Sequence, residues 1–157
     1  MKRAVYYQQT GIGMVGIAEC GGFITKLCFE SESVPMEAEP SEPDVVKEAF
    51  RQLNAYINGE LRVFSLPLAP SGTLFMEQVW NTLAAIPYGT TATYRDVAAA
   101  SGNPKAVRAV GMACNRNPLP IFIPCHRVIG SNGTLTGYRG GLALKMALLE
   151  LEGKHKI

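Results

Sequence analysis

The sequence has little of what metal sites and disulfide frameworks require. Its four cysteines form no Cys-x-x-Cys pair and it contains only two histidines, so a structural zinc site has no obvious ligand set. No apolar run is long enough to span a bilayer, and the first residues are not followed by the apolar core of a signal peptide. We therefore expect a cytoplasmic protein with reduced thiols, no metal, no cofactor and no membrane contact.

Charged residues are sparse and unevenly distributed. They make up 18% of the chain against 47% hydrophobic residues, which is enough to bury a core. Residues 1–70 carry six Lys/Arg against nine Asp/Glu, a balance of −3, whereas residues 71–157 carry nine against four, a balance of +5. Such asymmetry suggests that one module meets a polyanion. Solubility alone is the simpler explanation of five excess charges, so charge does not decide the matter.

Residues 1–66 predict a small N-terminal α/β domain. Three runs of strand-type residues, separated by glycine-containing turns, come first: 4–7, 14–18 and 23–29. An acidic loop with three prolines follows, at residues 30–43. From Asp44 the apolar residues recur at helical spacing, and Asn58 and Gly59 are typical of a helix end. No chemistry is evident in this domain.

Residues 67–157 predict a mainly helical C-terminal domain. After an extended stretch, Thr73 is a suitable cap for a helix that ends at Pro87, and Trp80 beside its apolar stripe is expected in the core. A tight turn at residues 131–133 (Ser-Asn-Gly) favours a short hairpin. The last helix is expected from residue 142 to residue 152, with a glycine as its stop.

Two short helices in the middle of this domain predict a helix-turn-helix. Thr93 begins a capping box for the first helix, while Asn103 caps the second and Pro104 suits its first position. The second helix should end near Asn115 and present basic and long side chains on or beside one face: Lys105, Arg108, Met112 and Arg116. The motif can lay this helix against DNA, but it also occurs as plain packing.

Residues 124–128 (Pro-Cys-His-Arg-Val) carry the clearest chemical signal. A thiolate is a nucleophile, and an adjacent histidine is the one nearby group that titrates in the range of a base. Neighbouring side chains on an extended segment point to opposite faces, so we expect Cys125 and His126 to communicate through a water molecule. Glu152 is expected in the last turn of a helix, where the dipole disfavours a carboxylate, and such a misplaced charge is a pointer to function.

These motifs together resemble the O6-alkylguanine-DNA alkyltransferases. The resemblance rests on residues 124–128, on residues 103–111 upstream (Asn-Pro-Lys-Ala-Val-Arg-Ala-Val-Gly) and on residues 138–141 downstream (Tyr-Arg-Gly-Gly). It is close from about residue 67 to residue 153 and looser before residue 60. It implies an α+β fold, with an RNase H-like N-terminal domain and a C-terminal domain for DNA binding and alkyl transfer.

The resemblance also implies an active site. Cys125 would take the alkyl group, His126 would act as base through water, and Glu152 would orient the histidine. Asn117 would shape the loop around the cysteine, and Tyr94 would donate a hydrogen bond to the base. The product is a thioether, which is not easily hydrolysed, so the protein should react once without a cofactor.

The implied partner is double-stranded DNA that contains O6-alkylguanine, bound by a monomer. Arg108 would enter the space left by a flipped nucleotide, with Lys105, Tyr94, Met112 and Arg116 as further DNA contacts. Val128, Tyr138 and Arg139 would line the substrate pocket. Arg139 stands where family members often carry a small residue, so the alkyl groups accepted, and activity on O4-alkylthymine, are open.

Three other functions fit part of the sequence. A lesion sensor on the same scaffold would lack the reactive cysteine. A cysteine hydrolase would use Cys125, His126 and Glu152 but would have no need of a basic helix-turn-helix. A transcriptional regulator would leave the Cys-His pair and Glu152 unexplained. Repair by alkyl transfer accounts for the most features.

Overall fold

The computed structural model of the protein describes residues 4–32 and 42–155. Most of the predicted acidic loop at residues 30–43 therefore lies outside the described residues. The chain divides into two compact units, Met1–Ser71 and Gly72–Ile157. Each unit combines helices with a small sheet, and the two sheets differ in size and in strand direction.

The first unit begins with a three-stranded antiparallel meander. Its strands are β1 (Ala4–Thr10), β2 (Gly13–Cys20) and β3 (Phe23–Phe29), in the order β1-β2-β3. The strands extend beyond the apolar runs that predicted them, because pairing continues to both tight turns: Thr10 faces Gly13, and Cys20 faces Phe23. Branched apolar side chains of the three strands are buried and form the core: Val5, Val15, Ile17, Ile24 and Leu27.

One helix, α1 (Asp44–Ile57), covers this sheet. Its buried face consists mainly of the apolar residues that predicted the helix: Val46, Ala49, Phe50, Leu53 and Tyr56. The helix ends as expected at Asn58. Gly59 follows with φ +78°, in the left-handed region that glycine adopts without strain, and its N–H donates to the Tyr56 carbonyl.

The extended segment after α1 belongs to the first unit. The backbone of Ile24 in β3 bonds to this segment on both sides, donating to the Pro67 carbonyl at 2.8 Å and accepting from Ala69 N–H at 2.9 Å. The segment therefore pairs with an edge strand over a short stretch. For this reason the first unit extends to Ser71, whereas composition placed the boundary after residue 66.

In residues 72–155, the described part of the second unit, four α-helices accompany one short parallel strand pair. The helices are α2 (Leu74–Ala84), α3 (Tyr94–Ala100), α4 (Val107–Asn115) and α5 (Leu142–Lys154), and the strands are β4 (Ala92–Thr93) and β5 (Val128–Ile129). Trp80 lies in the core, as expected, and its Nε1–H donates to the Ala113 carbonyl at 2.9 Å. This bond ties α2 to α4.

Helices α3 and α4 form the predicted helix-turn-helix, with one correction. Thr93 forms the expected capping box with Asp96, since each side chain accepts a hydrogen bond from the other residue's N–H. The second helix, however, does not start at Asn103 and Pro104. The Asn103 side chain accepts from Lys105 N–H within a turn, and α4 begins at Val107 with no side-chain cap. Lys105 therefore lies before the helix rather than on its face.

Two further expectations near the C terminus are wrong. The tight turn at residues 131–133 is present, with Gly133 N–H bonded to the Gly130 carbonyl, but it does not join two paired strands. Instead β5, just before it, pairs in parallel with β4. Gly153 does not stop the last helix either, because α5 continues to Lys154.

Candidate active site

A buried asparagine shapes the loop that leads to Cys125. The Asn117 side chain accepts from Leu119 N–H and donates to the Ile123 carbonyl, both at 2.9 Å, so one amide closes the loop at both ends. Inside it Ile121 has φ +76°, a left-handed conformation that costs a branched residue about 1–2 kcal/mol. The amide bonds of Asn117 help to hold this strained, buried backbone in place.

Cys125 lies in a 3-10 turn, Cys125–Arg127, rather than on an extended segment. The expectation that Cys125 and His126 point to opposite faces is therefore wrong, since successive side chains of a 3-10 turn are about 120° apart. Pro124 precedes the turn, and its carbonyl accepts from Arg127 N–H at 3.1 Å. Cys125 is 6% exposed and His126 is fully buried.

The carboxylate of Glu152 is the centre of a buried polar network. His126 Nε2 lies 2.7 Å from Oε2, while Arg127 donates from Nε to Oε1 at 2.9 Å and from Nη2 to Oε2 at 3.0 Å. The backbone N–H of Gly89 also donates to Oε1, at 3.1 Å. Burial of a carboxylate in the last turn of a helix is tolerable here because four donors surround it.

Burial keeps His126 neutral. Burial lowers the pKa of His126, and the charges of Arg127 and Lys145 act in the same direction, whereas the bond to Glu152 opposes them. The bidentate Arg127 already offsets much of the carboxylate's charge, so burial prevails. If Nε2–H donates to Glu152, the neutral ring carries its lone pair on Nδ1, which is then the basic nitrogen.

The thiol of Cys125 is protonated at rest. Burial raises the pKa of Cys125, partly offset by a hydrogen bond from Asn117 and by the positive charges of Arg139 and Lys145. Burial also raises the pKa of Cys114, to about 12. A neutral histidine beside a protonated, buried thiol is suited to removing its proton as the sulfur attacks.

A small cavity of about 30 Å³ opens onto Cys125. Its wall brings together Cys125 and three other residues expected from sequence, Tyr94, Tyr138 and Arg139. The remaining lining residues come from α4, its end and the loop before Tyr138: Gly111, Cys114, Asn115 and Gly137. Val128, expected in the pocket, is instead fully buried in β5 and is not part of this wall.

Two residues that the sequence reasoning missed connect the cavity to α5. The Tyr94 hydroxyl is hydrogen bonded to Thr136 Oγ1, and Lys145 Nζ donates to the Thr136 carbonyl at 3.1 Å. Lys145 is 1% exposed. The spacing of Lys145, Leu148 and Glu152 puts them on one helix face, and the structure shows that this is the buried face of α5. Two charged residues on a buried face are unusual enough to mark a site.

Four of the five residues expected to contact DNA lie on or beside α4, whereas Tyr94 begins α3. Arg108 and Met112 are exposed one turn apart on the helix, and Arg116 is exposed directly after it. Lys105 is exposed in the turn that precedes the helix. Met112 is 54% exposed, which is high for a large apolar side chain. This surface is open and basic. Ala109 and Gly111 contribute little bulk, so another molecule could approach it closely.

Neither a metal cluster nor a membrane helix is found in the part of the chain that the structure describes. No three His, Cys, Asp or Glu side chains among residues 4–32 and 42–155 are grouped to hold a metal ion. Within the same residues no helix has the length and apolar character needed to cross a bilayer.

Comparison with known proteins accounts for both units. Residues 1–70 match the ribonuclease-like domain of 6-O-methylguanine DNA methyltransferase, and residues 74–154 match its DNA binding domain. The chain is 47% identical over 151 residues to the constitutive methylated-DNA–protein-cysteine methyltransferase of Bacillus subtilis, covering 92% of each protein. It is 61% identical over 107 residues to the enzyme of that name from Methanosarcina acetivorans, covering 68% of this chain and 69% of that protein.

A solved structure agrees over nearly the whole chain. The crystal structure of Mycobacterium tuberculosis OGT in complex with DNA is similar to this fold with a TM-score of 0.88 at 43% identity. The similarity covers 95% of this chain and 92% of that one. The expectations of an α+β fold and of an alkyltransferase relationship are confirmed. The chain belongs to the 6-O-methylguanine DNA methyltransferase family.

Proposed function

We propose that this protein repairs DNA by moving the alkyl group of O6-alkylguanine onto Cys125 in a single, irreversible transfer. The observation that carries the proposal is the placement of Cys125: it lines a small cavity, and the next residue in the chain, His126, is bonded to the buried Glu152. Sγ forms a bond to the alkyl carbon, and the bond from that carbon to O6 breaks. The thiol proton leaves through His126, and unmodified guanine departs with a proton in its place.

His126 is proposed as the base. Burial lowers the pKa of His126, so the ring is neutral at neutral pH and able to accept a proton. Glu152 holds the ring through the 2.7 Å bond and stabilises the imidazolium that forms transiently. The Cys125 thiol then loses its proton only as the sulfur attacks, because burial disfavours a free thiolate.

Tyr94 is proposed as the donor to the leaving guanine. Burial raises the pKa of Tyr94, so its hydroxyl keeps its proton well above neutral pH. Tyr94 shares the cavity wall with Cys125, and its hydroxyl is positioned by Thr136. A fixed donor that faces the negative charge developing on the base would lower the barrier to its departure.

The surface around α4 is proposed to bind double-stranded DNA with little sequence preference. Arg108 would fill the space of the flipped nucleotide, while Lys105, Met112 and Arg116 would contact the groove and backbone. If about four phosphates are neutralised, log affinity should fall with log salt at a slope of roughly −3 to −4. We further propose that the protein acts as a monomer in the cytoplasm.

The decisive experiment measures intact-protein mass after incubation with a duplex that contains O6-methylguanine. The wild type should gain one methyl group and stop at one equivalent. Cys125→Ser should show no such gain. Cys114→Ser is the matched control, because Cys114 lines the same cavity and should leave the gain intact. A gain that persists in Cys125→Ser would reject the assignment of the nucleophile.

Two other outcomes would reject alkyl transfer itself. Tight binding to the lesion without a mass change would indicate a sensor. Consumption of substrate in excess of protein would indicate a turnover enzyme, since a thioether product cannot be released by hydrolysis.

A further inference from the structure

Arg139 has no part in the transfer chemistry described above, yet it lies on the wall of the Cys125 cavity. Its Nη1 donates to the backbone carbonyl of Asn117 at 2.6 Å, across 22 positions of sequence. Asn117 is the residue whose side chain closes the loop leading to Cys125. Arg139 therefore joins the cavity wall that carries it to the loop that leads to the nucleophile.

We propose that Arg139 is a positioning and specificity residue, which holds the cavity wall against Asn117 and limits the size of the alkyl group that reaches Cys125. The inference rests on the proposed function. It assigns to this side chain a role in substrate size and thiol reactivity, rather than a contact with DNA.

The segment that carries Arg139 needs such an anchor. Residues 137–141 contain three glycines, so the backbone there is conformationally permissive. An added Cβ at Gly137 or Gly141 would meet nothing within 4 Å, so no atom packs against this side of either glycine. The bond from Gly141 N–H to the Tyr138 carbonyl is local, at 2.8 Å. The Arg139–Asn117 bond reaches across the site and is suited to fixing the segment.

The size of the cavity makes the position of Arg139 important. The cavity is small, about 30 Å³, so the side chains on its wall affect which alkyl group can reach Cys125. Arg139 is the longest side chain on that wall. Truncation at this position should enlarge the cavity and release the segment at the same time.

The charge of Arg139 should also affect the thiol. A cation near Cys125 favours thiolate character as the sulfur attacks, and Arg139 lowers the thiol pKa while burial raises it. Arg139 does not act alone, because other ionisable groups lie close to Cys125 on neighbouring elements: Tyr94, Cys114, His126 and Lys145. Loss of the Arg139 charge should therefore shift the pH dependence of the alkyl-transfer rate without abolishing the reaction.

The test compares three substitutions on free O6-methylguanine and free O6-benzylguanine, which involve no DNA contact, and on a duplex that contains O6-methylguanine, which does. Arg139→Ala removes length and charge, Arg139→Gln keeps most of the length without charge, and Arg139→Lys keeps the charge without the planar fork. Arg95→Gln is the matched control, because it removes an exposed arginine of the same unit. The rate of mass gain is measured for each protein between about pH 6 and pH 9, a range that spans the ordinary histidine and thiol pKa values.

The expected result has two parts. Arg139→Ala should raise the benzyl-to-methyl rate ratio by about tenfold, the order by which pockets distinguish groups that differ by a few atoms. Arg139→Gln should move the rate–pH curve to higher pH and slow the reaction at neutral pH, whereas Arg139→Lys should keep the curve near that of the wild type. Arg95→Gln should change neither quantity.

The proposal is overturned if the rate ratio and the pH curve are unchanged in Arg139→Ala and Arg139→Gln. Loss of reaction with duplex DNA alone, with normal reaction of both free bases, would also overturn it and make Arg139 a DNA contact. If Arg139→Ala does not fold, the pH curves of the Gln and Lys variants decide the question. A wild-type protein that accepts no alkyl group would instead reject the proposed function.

Discussion

The two units bury their polar groups in different ways. Among the described residues, the buried polar side chains of the first unit are Thr10 and Gln52, both uncharged. In the second unit His126, Arg127, Lys145 and Glu152 are all buried, together with Asn117. Buried ionisable groups are expensive in free energy, so a cluster of them in one unit indicates where the chemistry lies.

The perturbed pKa values follow the same division. In the first unit they belong to a surface pair: Arg51 donates to Glu48 and lowers its pKa to about 2, and both groups lie at the surface. In the second unit burial is the main cause of the shifts at Cys125, His126 and Lys145. A surface ion pair and a buried network can both perturb pKa values, but burial distinguishes the group of residues suited to catalysis.

The largest effect should come from breaking the buried network at its centre. Glu152→Gln removes the charge that faces Arg127 and His126, so we expect a loss of about 3–5 kcal/mol in the free energy of unfolding. The alkyl-transfer rate should fall by roughly 10²–10⁴-fold, the usual contribution of a positioned base. Urea denaturation and the rate of mass gain measure the two losses.

The control for this substitution is Glu150→Gln, on the same helix but exposed. It should leave both quantities nearly unchanged. Equal effects of the two substitutions would mean that burial does not distinguish the functional carboxylate.

The next largest effect should distinguish the exposed basic surface of the second unit from its buried site. Arg108→Ala should slow repair of duplex substrate by about tenfold or more, because the vacated space in the stack is no longer filled and extrusion costs a few kcal/mol. Reaction with the free alkylated base should be unchanged. Single-turnover rates on both substrates test this, and equal losses on the two would refute the assigned role of Arg108.

A smaller effect is expected from the buried amide of the first unit. Gln52 accepts from Ser65 N–H at 2.9 Å and donates to the same residue, which ties α1 to the extended segment after it. Gln52→Ala should lower the free energy of unfolding by about 1–3 kcal/mol. The alkyl-transfer rate of the folded protein should not change, and a tenfold loss would show that the first unit also takes part in the chemistry.

The smallest effect should appear as a slope of stability against pH. The pKa of His126 is lowered in the folded state, mainly by burial, so below about pH 6.5 the unfolded chain binds a proton that the folded chain excludes. Stability should therefore fall as pH drops below that value. Urea denaturation at several pH values checks this: His126→Gln should flatten the slope, and His155→Gln should leave it in place.

The sequence correctly predicts several helix caps and ends that depend only on nearby residues. The capping box at Thr93, the cap at Thr73 and the end of α1 at Gly59 all involve partners within three residues, and all are present in the structure. The predicted start of α4 is wrong because two local structures compete at Asn103. Asn103 has two local options, and its side chain stabilises a turn with Lys105 instead of capping a helix.

The candidate site was only partly predictable. Cys125, His126 and Glu152 were identified from motif and resemblance, but Lys145 was not, because a lysine in an apolar helix is ordinarily a surface residue. Val128 does not line the cavity as expected, because β5 pairs with β4 and its Val128 side chain is buried. Both outcomes depend on which face of a helix or strand is covered by neighbouring parts of the folded chain.

The sequence by itself determined the family, the caps at Thr73 and Thr93 and the charge difference between the two halves of the chain. These properties depend on residue identity and on partners a few positions away. Only the tertiary structure decided that Arg127 and His126 share the carboxylate of Glu152, about 25 residues distant, and that Arg139 bonds to Asn117. Burial and long-range contacts depend on how elements pack, and no local pattern encodes them.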